Sequence, residues 1–332
     1  MKRVIFFVMA LLAVGTAMAQ GDALLTNAWA VPTYYNPAAV GDTDAIRLRG
    51  AMRAQWVGID GAPLTFVGAA DMPFMFLGKK WGVGAVVQSE KIGLFRNLTA
   101  DLQIAYKLKA LRGVWTFGLQ AGLLNEQFRG SEVYIPDDDD YHQGTDDAIP
   151  MRDVGGNALD LGIGVRYARP RFSAGISLLH ANNPTVTFQG ENGEAIGGSG
   201  SAEGATAKKY QFSAQRMLYF DAAGNIPIKN TLFEVMPSLV VRTDFTFFDA
   251  QLTARALYNK LFSFGLGYRW DDAVSLLLGA EIKGIFIAYS YDYHLSHISR
   301  ASSGSHEVVA GYRLKLDFSE KNRNRHKSIR LM

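Results

Sequence analysis

Between residues 98 and 108 apolar and polar positions alternate. Leu98, Ala100, Leu102, Ile104, Tyr106 and Leu108 form one row; Thr99, Asp101, Gln103, Ala105 and Lys107 form the other. A period of two predicts a β-strand with one oily face and one wet face. Its 11 residues match the length of about 9–11 that a tilted strand needs to cross the hydrocarbon of a bilayer. After a short turn at 111–113, Trp115, Phe117, Leu119, Ala121 and Leu123 alternate with Thr116, Gly118, Gln120 and Gly122. This hairpin unit recurs almost to the end of the chain. The pattern predicts fourteen strands: 45–55, about 64–72, 81–89, 98–108, 115–123, about 158–168, 172–180, 209–219, 232–244, about 248–258, 261–270, 273–283, 285–295 and 306–318. Such a series implies an all-β fold, a transmembrane antiparallel β-barrel of about 14 strands.

The first strand says which face points where. Ile46, Leu48, Gly50, Met52 and Ala54 alternate with Arg47, Arg49, Ala51, Arg53 and Gln55. A lipid-facing arginine costs about 2–4 kcal/mol near the midplane, so the three arginines are expected in the lumen. There they would meet Asp101, Asp160, Glu234 and Glu281, narrowing any pore and stiffening the wall. Asp292 is expected to pair with an arginine such as Arg313.

An even strand count places both termini in the periplasm. Odd-to-even links should then be outer and long, and even-to-odd links tight. The two longest links, 128–157 and 181–208, fall on the outer side. Leu111-Arg112, Arg169-Pro170-Arg171, Asn259-Lys260 and Gly284 fit tight periplasmic turns; 220–231 is too long for one. Trp56, Trp81, Trp115 and Trp270 fall at strand ends, as aromatic girdles at the two interfaces require.

The leading residues change the picture. Lys2 and Arg3, an apolar run over 4–14, and Ala17-Met18-Ala19 have the form of a cleaved secretory signal. The run is shorter than a spanning helix of about 20 residues, and no later segment is long and apolar enough to act as one. The expected organisation is a signal peptide at 1–19, an irregular leader at 20–44 packed against the barrel mouth, the barrel at 45–318, and a basic periplasmic tail at 319–332. Losing Lys2 and Arg3 takes the net charge from +3 to +1 (3 − 2), which argues against a nucleic-acid surface. The chain has no cysteine, excluding disulfides, thiolate metal sites and a lipidated cysteine. Apolar residues reach 48% while mean hydropathy stays near zero, because they are dispersed by the alternation.

Candidate chemistry is sparse. The acidic stretch Asp137, Asp138, Asp139, Asp140, Asp146 and Asp147 lacks the spacing of a calcium loop and reads as solvated. Residues 190–207, rich in Gly and Ser, read as a mobile loop. The tail carries Lys321, Arg323, Arg325, Lys327 and Arg330 against Glu320. Of six histidines, His306 sits in Ser305-His306-Glu307, but neighbours on a strand point to opposite faces and make a poor triad. A pairing of His294 with a serine distant in sequence stays open. No Gly-x-Ser-x-Gly elbow, His-Glu-x-x-His pair or phosphate loop is present. Neither catalysis nor a cofactor nor a metal is expected.

Several motifs resemble those of the PorP/SprF membrane proteins of the type IX secretion system. They are Tyr35-Asn36-Pro37-Ala38-Ala39-Val40-Gly41; Arg53-Ala54-Gln55-Trp56-Val57-Gly58 with Gly61-Ala62-Pro63; His180 followed by Pro184; Tyr289-Ser290-Tyr291-Asp292-Tyr293; and Gly304-Ser305-His306-Glu307. They occur in order from leader to last strand. The resemblance implies an outer-membrane barrel of a Gram-negative bacterium that works with the secretion and gliding machinery. It implies export or anchoring of cargo such as adhesins, and links to periplasmic ring or peptidoglycan-binding components. It leaves open a general role against one dedicated to a single adhesin. From the residues alone, three rivals stand beside it: a diffusion porin or small-solute transporter, an outer-membrane hydrolase, and a soluble β-sandwich adhesin.

Overall fold

The computed structural model describes residues 22–134, 150–189 and 210–316. Within them the alternating segments form fourteen barrel strands, numbered in chain order. The first seven are β1 (Ala45–Ala54), β2 (Leu64–Phe76), β3 (Lys79–Ile92), β4 (Phe95–Ala110), β5 (Gly113–Arg129), β6 (Asp153–Arg169) and β7 (Phe172–Leu179). The others are β8 (Met217–Gly224), β9 (Phe233–Thr243), β10 (Phe248–Tyr258), β11 (Phe262–Arg269), β12 (Ala273–Ile282), β13 (Ile285–His294) and β14 (Ser305–Lys315). Each pairs antiparallel with the next, and β1 pairs with β14 from Ala45↔Lys315 to Ala54↔His306. The ring closes, so no strand edge is left to seek a partner.

Burial follows the alternation in the inverted sense of a membrane protein. On β4, Leu98, Leu102, Ile104 and Leu108 are exposed, Leu102 at 71%, while Asp101, Gln103 and Ala105 are buried. Tilted aromatic pairs mark the periplasmic rim: Trp81 with Tyr106 at 5.0 Å, Trp115 with Tyr167 at 4.9 Å, and Phe233 with Tyr258 at 4.9 Å. Trp270 is exposed at the outer rim. Trp56 departs from the expected girdle: it lies in the turn after β1, half-buried, with its ring 6.4 Å from that of His294.

Three expectations change. The eighth strand is Met217–Gly224 rather than 209–219, because Gln211–Ser213 pairs instead with Thr185–Thr187 in a small ladder of the outer link. The strand therefore runs deeper, and the overlong turn at 220–231 shrinks. Ile226 and Pro227 pair back onto Val235 and Glu234, leaving a tight periplasmic end. Finally, not every outer link is long: β3 and β4 are joined through Gly93 and Leu94 alone. The signal segment, the acidic run at 137–147, the loop at 190–207 and the basic tail lie outside the described residues.

The leader is the largest departure. It does not rest at the barrel mouth; Leu24, Leu25, Val31, Tyr34, Tyr35, Ala38, Ala39 and Val40 are all buried. They form short helical turns at Ala28–Ala30, Pro32–Tyr35 and Pro37–Ala39 that pack inside the lumen. The barrel thus has its core where a porin has water.

Candidate functional site

What fills the lumen is residues 22–44, and the wall is shaped to hold them. Inward glycines make room. A Cβ at Gly118 would lie 2.3 Å from the Ala38 nitrogen, and one at Gly164 would lie 2.2 Å from Asn36 Oδ1. Asn36 accepts from Ala38 N at 2.9 Å and donates to Asp221 at 3.1 Å, so it fixes the sharp turn leading to Pro37. Higher up, Tyr34 donates to Gln88 at 2.9 Å, Gln103 donates to the Thr33 carbonyl at 2.9 Å, and Ser177 donates to the Tyr35 carbonyl at 2.5 Å.

The outer half of the plug is clamped by a buried ion cluster. Arg53 is 1% exposed. It reaches Asp292 at 2.7 Å, Glu307 at 3.3 Å and the Thr26 hydroxyl at 2.9 Å. Glu307 accepts from the Thr26 and Asn27 backbone N–H groups at 2.7 Å each, and Thr26 donates its hydroxyl to Asp292 at 2.7 Å. Arg269 donates to Thr26 at 3.1 Å, to Gln251 at 2.8 Å and to Asp272 at 2.8 Å. Three motifs far apart in sequence thus converge on two plug residues. The register explains it: Arg53 faces Glu307 across β1–β14, and Asp292 faces Ser305 across β13–β14.

The remaining motif residues shape the turns around this cluster. Gly58 and Gly61 take positive φ in the turn that Gln55 N closes onto the Pro63 carbonyl at 2.9 Å. Gly304 also has positive φ (97°), and a Cβ there would lie 2.6 Å from the Tyr291 ring. His306 points outward and meets Tyr289 at 2.7 Å.

At the periplasmic end Arg47 forks onto Asp71 at 2.7 Å and donates to the Ala39 carbonyl at 2.9 Å, while Gly41 N donates to Asp71 at 2.7 Å. Arg166 meets Asp42 at 3.2 Å and Asp221 at 2.7 Å. At the plug's first described residue, His180 lies between Asp22 and Asp160, 3.0 Å from each.

The lumenal arginine stripe is where the alternation places it, but its expected partners are not. Arg47 pairs with Asp71, and Arg53 pairs with Asp292 and Glu307. Arg49 donates to the Ala30 carbonyl at 3.2 Å and covers the Phe286 ring at 4.5 Å. Asp160 holds His180, Glu234 accepts from Asn225 at 2.7 Å, and Glu281 meets Arg313. Asp101 is buried on β4 with no ion pair among the described residues. The expected pairing of Asp292 with Arg313 fails because they lie at opposite ends of the barrel. Alternation tells which face a side chain takes; it does not tell which strand stands beside it in the ring.

The pH dependence of the His180 clip has a definite sign. Burial works against the charge on His180, but Asp22 and Asp160 outweigh it and raise its pKa well above the ordinary histidine value. Burial likewise opposes ionisation of Asp22, yet His180 and Tyr219 hold its pKa below the ordinary carboxylate value. A raised histidine contributes stability that is complete below its unfolded pKa of about 6.5 and is lost as pH climbs through the folded value. Hydrogen exchange at 22–27, corrected for intrinsic rate, should therefore be slowest in mildly acidic solution just below about pH 6.5 and speed up as the pH climbs through neutrality into the alkaline range. In His180→Gln it should be fast and flat across that range; an alkaline rise that survives the substitution would remove His180 from this role.

One further arrangement has the outline of a triad. His294 Nε2 lies 2.7 Å from Ser305 Oγ, and Nδ1 lies 2.9 Å from Asp272 Oδ1. A nucleophile needs an approach path. Ser305 has no exposed surface, His294 has 1%, and Ser305 Oγ also accepts from Trp56 N at 3.0 Å. The arrangement ties the turn after β1, the turn after β11 and the start of β14 together.

The chain matches the family described as "Type IX secretion system membrane protein PorP/SprF" over residues 17–312. No curated protein matches it in sequence. Among solved structures, the Ralstonia pickettii toluene transporter TbuX is 11% identical, with 86% of this chain and 93% of that one covered and a TM-score of 0.49. A Pseudomonas aeruginosa FadL homologue is 10% identical, with 92% and 98% covered and a TM-score of 0.47. The Acinetobacter baumannii outer membrane protein Omp33 is 7% identical, with 81% and 98% covered and a TM-score of 0.44.

Proposed function

The chain belongs to the PorP/SprF family of type IX secretion system membrane proteins, and from that premise we propose that it is a sealed, non-enzymatic scaffold of the machinery in the outer membrane. In this reading it supports the export or surface anchoring of cargo such as adhesins. It does so by presenting its rims to other components, including periplasmic ring or peptidoglycan-binding proteins, while cargo does not pass through its lumen. The observation that carries the reading is the plug: a leader largely buried from Ala23 to Gly41, hydrogen-bonded to wall ion clusters at Thr26–Asn27 and at Ala39 and Gly41, and ion-paired to the wall through Asp22 and Asp42. A diffusion porin needs a wet, continuous lumen, which this packing opposes.

The role is tested by an in-frame deletion that leaves neighbouring genes intact, with proteomics of the medium and the cell surface. Loss of many exported proteins, restored by complementation, is the result for a general component; loss of one adhesin is the result for a dedicated one. Unchanged secretion would overturn the proposal. The non-catalytic part has its own test. Ser305 should resist a fluorophosphonate probe in the folded protein, and Ser305→Ala should leave secretion intact. Labelling that disappears in Ser305→Ala would make the arrangement a working nucleophile.

A further inference from the structure

Packing between wall and plug is incomplete where β8 meets β9. The inward side chains of Met236, Ser238 and Ala223 remain partly exposed there. A cavity of about 160 Å³ lies between this wall and the plug, lined by Trp29, Pro32, Ala223, Met236, Ser238 and Arg255 among others. It is near the periplasmic end, since its lining includes Gly224, the last residue of β8. Arg255 is 6% exposed. Its guanidinium carbon is 3.4 Å from the centroid of the Trp29 ring. Its Nε has no hydrogen-bond partner, and among the described residues its one protein acceptor is Met236 Sδ at 3.9 Å. The acid lining the cavity, Asp221, is already engaged by Arg166 at 2.7 Å and Asn36 at 3.1 Å.

An arginine cannot shed its charge, and a buried cation without a counter-ion is costly. Arg47, Arg53, Arg166, Arg242 and Arg269 in the same lumen each have a carboxylate. Arg255 has a cavity instead. We propose that this cavity binds a small organic carboxylate from the periplasm, with Arg255 holding the carboxylate and Trp29, Pro32 and Met236 enclosing an apolar body. The planar guanidinium fork matches a carboxylate in shape and charge. The volume suits a benzene-sized group, which an apolar cavity of about 150 Å³ accommodates. The assignment does not depend on the export role.

The test uses the full-length folded protein in detergent, titrated calorimetrically with benzoate, its neutral analogue benzamide, and sulfate. Benzoate is expected to bind saturably at one site, with benzamide and sulfate at least tenfold weaker. Arg255→Gln should weaken benzoate at least tenfold, and Arg255→Lys should weaken it less. Met236→Trp fills the cavity with Arg255 still present, and should also abolish binding. Heat-modifiable migration on gels establishes that each variant has kept its barrel. Absence of benzoate binding to the folded wild type, or equal binding by folded Arg255→Gln and Met236→Trp, would overturn the proposal.

Discussion

Arg53→Met should lower the unfolding free energy by about 3–5 kcal/mol, the cost of leaving a buried charge without its partner. Arg53 is the cation that Asp292 and Glu307 share, and all three are at most 1% exposed. Removing it leaves two carboxylates facing one another, with the hydrogen bonds of Thr26, Asn27 and Ser275 and the charge of Arg269 as partial compensation. Denaturant unfolding in detergent micelles reads the effect. Arg53→Lys keeps a charge but cannot fork to Thr26, Asp292 and Glu307 together, so it should fall between wild type and methionine. Adding Asp292→Asn and Glu307→Gln to Arg53→Met should recover part of the loss, because the orphaned charges are then gone. A methionine variant as stable as wild type would mean that the cluster contributes nothing to holding the plug.

The second large effect concerns the plug without touching a charge. Gly118→Val places a Cβ 2.3 Å from the backbone of Ala38 and 2.4 Å from that of Pro37, where no flexible side chain can move aside. Valine suits a strand, so the barrel should still close while the plug cannot seat. The leader should then become sensitive to limited proteolysis, with cleavage inside 22–44 that wild type resists by at least tenfold in rate. Gly50→Val is the control, since a Cβ there meets nothing within 4 Å and faces outward. Equal resistance in Gly118→Val and wild type would show that the leader is not seated against β5.

Much of this barrel is legible from alternation alone. The oily row of β4 and the arginine row of β1 take the faces that lipid and lumen demand, because a misplaced arginine costs more than most other errors. The strand that slipped, β8, lies beside an outer link with its own short ladder, and alternation cannot say whether Gln211–Ser213 pairs in the wall or above it. The plug escapes the alternation for a different reason. It has no period, since its residues satisfy a cavity rather than a face. Two signals pointed to it. The leader carries Leu24, Leu25, Val31, Tyr34 and Tyr35, too apolar for a solvated connector. Gly118, Gly122 and Gly164 sit at inward positions where a water-filled lumen would accept any polar side chain. The motifs of β1, β13 and β14 were visible as words in the sequence, but their meeting at Thr26 and Asn27 depends on ring closure and on the leader turning inward.

The central claim is that this barrel is sealed by its own leader, and single-channel recording in planar bilayers tests it most directly. The wild-type protein should show no steady conductance, whereas a variant lacking residues 22–41 should show a stable open level. A wide, steady conductance from the intact wild type would contradict the account.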